Sequence, residues 1–145
     1  MEKYRHSQPG WVMIFTFSAI LILFMVMPLE PKTDQKIAVA VMAACLALFY
    51  KLTVIIDDKF VFIRFGYGII RVKYALSDIA SVSVVKNGWW YGWGIRSLGS
   101  GWLYNVSGLD AVELKLKNGK IHRIGTDEPE EPEELERALR ENIKA

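Results

Sequence analysis

Side chains able to do covalent or acid–base chemistry are few in this chain. It carries two histidines, His6 and His122, one cysteine, Cys45, and carboxylates that crowd into residues 127–145. Catalysis by general acid–base or nucleophilic routes needs a base and an orienting partner beside the nucleophile. No such set is spaced together, so no catalytic residue is assigned and no enzyme is expected. One cysteine with scattered histidines makes no zinc framework, so no metal and no cofactor is expected. His122 reads as a solvent-facing residue of a strand, and Asp127 as a turn or helix-capping residue.

Side chains suited to recognition are denser. The stretch GWWYGWGIRSLGSGWLYNVSG, residues 88–108, holds four tryptophans, two tyrosines, six glycines and one cation. Trp, Tyr and Arg dominate binding hot spots, and Trp89, Trp90, Tyr91 and Arg96 form the candidate interaction surface. Trp102, Tyr104 and Val106 alternate as the inward side of a strand, and Trp93, between two glycines, reads as packed where backbone approaches closely. Charge supplies a second set. Residues 51–126 carry 11 Lys or Arg against 5 Asp or Glu, while residues 127–145 carry 3 against 8. Lys51, Lys59, Arg64, Arg71, Lys73 and Lys86 are the candidate contacts to an anionic lipid surface, each worth about 1 kcal/mol near such a surface.

The elements that must position these residues begin with two apolar runs. Trp11 to Met27 is free of charge and about 25 Å long as a helix, near the lower limit for a membrane span. Ile37 to Tyr50 is shorter, and Lys51 with Leu52 to Ile56 would extend it, Tyr50 lying at the interface. Ala40 with Ala44 and Ala43 with Ala47 have the spacing that lets membrane helices approach. The reading is a transmembrane hairpin over residues 1–50, with spans about 11–27 and 37–52, broken by Pro28 and Pro31 and joined by the polar loop PLEPKTDQK. A cleaved signal sequence fits Lys3 and Arg5 ahead of an apolar stretch, but no A-x-A-like site follows. Two core helices of a soluble protein are the other rival. Lys and Arg cluster after the second run, which places both termini on the cytoplasmic side of a multi-pass plasma-membrane protein.

Residues 51–145 change to a twofold period. LTVIID, KFVFIRF, GIIRVKY and ASVSVVK read as strands. AVELKLKNGKIHRIG reads as a hairpin with Asn118-Gly119 as its type I′ turn. The tail turns helical over about 131–143, with Leu135, Ala138, Leu139 and Ile143 as one apolar stripe and acidic residues at its start. The fold class expected is α+β: the hairpin, then a mainly antiparallel seven-stranded barrel or sandwich capped by the C-terminal helix.

Tyr91-Gly92-Trp93-Gly94-Ile95-Arg96, Gly101 to Gly108, the Ala111 to Leu114 strand, Asn118-Gly119-Lys120 and Arg123 to Pro129 carry a likeness over residues 51–143. On these motifs the chain resembles the small bacterial membrane proteins of two transmembrane helices and a pleckstrin-homology-like domain. The resemblance implies a fold and a membrane location. It implies no biochemical role, and the phosphoinositide site of eukaryotic relatives has no matching basic motif here.

The function expected from these readings is a non-catalytic, membrane-anchored module for protein binding or scaffolding, with contact to anionic lipid as the alternative. Its partners would be the lipid bilayer and a protein or a second copy of itself. No nucleic-acid partner is expected, because no recognised module accompanies the aromatic and basic residues.

Overall fold

The computed structural model describes residues 2–27, 32–128 and 130–144. Strand β1 (Tyr4–Pro9) comes first, followed by helices α1 (Trp11–Val26) and α2 (Lys32–Phe49). Strands β2 (Lys51–Ile56), β3 (Phe60–Phe65) and β4 (Ile70–Ala75) lead through a 3₁₀ turn at Leu76–Asp78 to β5 (Ile79–Lys86). A second 3₁₀ turn, Trp89–Tyr91, precedes β6 (Gly94–Ser97), β7 (Trp102–Asn105), β8 (Asp110–Leu116), β9 (Ile121–Thr126) and helix α3 (Glu131–Lys144).

The class is α+β, but the strands form two sheets and not one closed barrel. One sheet has the order β1-β2-β3-β4 and the other β5-β8-β9-β7-β6. Every pairing is antiparallel except β7 with β9. That parallel contact follows from the long return between the β6–β7 hairpin and β9, which is filled by β8.

The expected transmembrane hairpin is corrected. Among the described residues no helix is long and apolar enough to cross a membrane. Helix α1 has sixteen residues, about 24 Å against a hydrocarbon core of about 30 Å. Helix α2 starts at Lys32, not near Ile37, so Asp34 and Lys36 fall within its opening turns. It stops at Phe49, and the residues expected to lengthen it are strand β2. Pro28 and Pro31, read as helix breakers, lie outside the described residues. Multi-pass plasma-membrane localisation, with both termini cytoplasmic, and the likeness to two-span membrane proteins lose their basis with this finding.

The two helices are instead an insertion between paired strands. Tyr4 faces Ile56 and Pro9 faces Lys51, so β1 and β2 enclose the hairpin. Gly10 N–H donates to Tyr50 O at 2.7 Å and Gly66 N–H to Lys51 O at 2.8 Å, tying both ends to the sheet. Phe49 meets Phe65 edge to face with centroids 5.5 Å apart. Away from that base the hairpin is apolar and exposed at Phe15, Leu23, Met25 and Val26.

The core lies between the sheets. Leu52, Ile56, Val61, Ile63 and Phe65 from the first sheet meet Val82, Val112, Leu114 and Ile124 from the second. Helix α3 closes it with Leu135 and Leu139, both fully buried. Arg140 fastens the helix through Nη2, which donates to Val82 O at 2.6 Å and to Glu136 Oε1 at 2.7 Å.

Candidate functional site

The aromatic stretch is split by the fold. Trp89 and Trp90 stand 74% and 68% exposed on the 3₁₀ turn after β5. Their rings meet edge to face at 6.3 Å, and Tyr91, half-buried, lies 6.0 Å from Trp90. The turn closes through Tyr91 N–H to Gly88 O and Gly92 N–H to Trp89 O. Gly88 has an ordinary negative φ, but a Cβ there would overlap the six-membered ring of Trp90. The absent side chain is the seat of that indole. Arg96 is exposed on β6 and folds back, its Nε donating to Trp93 O at 3.3 Å. Trp89, Trp90, Tyr91 and Arg96 thus belong to one end of the second sheet.

Trp102 departs from its expected core place. Tyr104 and Val106 are buried, yet Trp102, on the same side of the strand, is 47% exposed. It opens β7 at the rim, opposite Ser97, and borders a cavity. Trp93 is half-buried, and its Nε1 is shut from solvent without a hydrogen-bond partner.

A cavity of about 790 Å³ lies beside Trp102 and is floored by Tyr74, Tyr104 and His122. Tyr74 Oη lies 2.6 Å from Tyr104 Oη and 2.9 Å from His122 Nδ1. Trp102 N–H donates to the same nitrogen at 3.3 Å. Nδ1 is therefore the acceptor and the ring proton sits on Nε2. Burial pushes both phenols above their usual range and, with Lys120 nearby, holds His122 below its own. No carboxylate among the described residues lines this cavity to orient the imidazole.

His122 was expected in solvent and is buried. The β8–β9 connection explains the difference. A two-residue Asn118-Gly119 turn would set His122 opposite Lys115. The observed loop has three residues, with only Gly119 at positive φ, and sets His122 opposite Leu114 on the core face. A slip of one residue exchanges the faces of a strand.

Four of the six candidate cations share a surface. Lys51, Arg64, Arg71 and Lys73 alternate outward from β2, β3 and β4. Lys59 sits in the β2–β3 turn, where its N–H donates to Asp57 Oδ1. Lys86 is on the other sheet, 3.9 Å from Asp110. Arg5 of β1, opposite Ile55 in register, lines a recess together with Lys51, Arg64 and Arg71; a strand ahead of the hairpin, paired across more than forty residues, leaves no local signal. Among the described residues no group of His, Cys, Asp and Glu could hold a metal ion. No protein-family model matches the chain, and no curated protein matches it.

Proposed function

We propose that the protein is a non-catalytic binding module whose partner, a protein segment, docks on Trp89 and Trp90, with Tyr91 and Arg96 at the margin. One observation carries the reading: two adjacent indoles are left about seven-tenths uncovered on a hydrogen-bonded turn, one of them seated on a glycine. Aromatic anchors held in place before binding lose little conformational entropy on contact, and tryptophan with arginine is the composition of interface hot spots. The guanidinium of Arg96 lies within reach of a partner carboxylate at the rim.

Crosslinking in cells with a photoreactive residue at position 91 tests it. Trp90→Ala and Arg96→Ala are expected to remove the crosslinked species that the unsubstituted background gives. An unchanged set of crosslinked species in both variants rejects this surface.

A further inference from the structure

The outward face of the first sheet carries charge of one sign. Arg5, Lys51, Arg64, Arg71 and Lys73 project from its four strands with Thr53 and Phe62 among them, and no carboxylate shares the alternation. Glu2, ahead of β1, reaches Arg5 at 3.8 Å, with both side chains about half exposed.

Arg64 and Arg71 stand directly opposite in register, an arrangement of like charges that destabilises a sheet. Both converge on Gly68: Arg71 Nε and Arg64 Cδ lie 3.7 and 3.9 Å from where a Cβ would stand. Arg71 Nε donates to Gly68 O. Arg64 Nε is closed from solvent and meets no acceptor, although a buried cationic donor is costly to leave unsatisfied. Its guanidinium lies 5.8 Å from the Phe62 ring.

These groups border a recess of about 220 Å³ whose wall includes Arg5, Tyr50, Lys51, Thr53, Arg64 and Arg71 and no carboxylate. The space equals roughly seven waters at about 30 Å³ each, enough for one phosphoryl group and a short substituent. Both arginines border the recess, and guanidinium forks match the planar edges of an oxyanion better than ammonium groups do.

We infer that this recess is an oxyanion site that takes a phosphoryl group, with Arg64 and Arg71 donating hydrogen bonds and Lys51 and Arg5 adding charge. An anion there relieves the repulsion between the opposed arginines. The site lies on the opposite sheet from the tryptophan turn and does not depend on the reading proposed for that turn.

Isothermal titration of the full chain with inorganic phosphate at fixed ionic strength tests it. Arg64→Gln and Arg71→Gln are each expected to weaken binding about tenfold, the loss of one charge-assisted contact. Lys86→Gln, the same charge change on the other sheet, is expected to leave it unchanged. Arg71 is exposed, so its variant serves if Arg64→Gln fails to fold by circular dichroism. Vesicles containing phosphatidate identify the source. Co-sedimentation competed by inorganic phosphate makes the group a lipid headgroup; absence of co-sedimentation, with phosphate bound, makes it a soluble one. The inference is overturned if phosphate does not bind, or if Lys86→Gln weakens binding as much as Arg71→Gln.

Discussion

Removing the hydroxyl of Tyr74 is expected to destabilise the fold more than removing that of Tyr104, although Tyr104 is the more deeply buried residue. Tyr74 Oη is the middle of a chain: it accepts from Tyr104 Oη at 2.6 Å and donates to His122 Nδ1 at 2.9 Å. Tyr74→Phe breaks both bonds at about 1 kcal/mol each and strands the Tyr104 hydroxyl at about 1 to 2 kcal/mol more, roughly 3 to 4 in all. His122 Nδ1 keeps its bond from Trp102 N–H. Tyr104→Phe breaks one bond and leaves Tyr74 its donor role, about 1 kcal/mol. In the double variant no hydroxyl is stranded, so its total lies at about 2 to 3 kcal/mol, below the sum of the singles. Urea unfolding of the four proteins at neutral pH measures this cycle. A cost for Tyr104→Phe equal to or above that for Tyr74→Phe, or strict additivity, refutes the order of donors described.

The same cluster sets a pH dependence. His122 is held below its ordinary value of 6.5 by burial, so the unfolded chain takes up its proton at a higher pH than the folded one. Its contribution to stability is complete above about pH 6.5 and is lost as pH falls from there through the folded value; His122→Gln is expected to flatten that part of the curve, and an unaltered slope contradicts the assignment. Leu139→Ala, which empties a fully buried site between α3 and the sheets, is expected to cost about 3 kcal/mol in chemical denaturation. A loss below about 1 kcal/mol would mean that α3 does not close the core.

Local patterns were legible where local physics decides. The apolar stripe at Leu135, Ala138, Leu139 and Ile143 marks α3; of Val82 and Val84, which the alternation of ASVSVVK turns inward together, Val82 is buried and Val84 is exposed. Pairings of long range were not. YRHSQP has no strand pattern of its own and becomes β1 because β2, beyond both helices, offers it an edge. The apolar length over about residues 37–52 reads as one span, yet Gly10 and Gly66 bind the chain at Tyr50 and Lys51 and divide helix from strand there. The buried His122 was hidden by one loop residue that no turn pair announces. For the aromatic stretch, Trp89 and Trp90 were singled out as surface from composition, whereas the role of Gly88 emerged only from the ring lying over it.

Gly88→Ala offers the most direct test of the binding surface. Its φ of −69° suits alanine, and the three atoms nearest to a Cβ there all belong to the Trp90 ring, so the fold should keep its unfolding free energy within about 0.5 kcal/mol. The measurement is photocrosslinking from position 91 in Gly88→Ala beside the unsubstituted background. Loss of the crosslinked partner with stability intact is the predicted result. Retention of that partner at full yield, with the Trp90 indole shown by its fluorescence to have moved, would contradict the account.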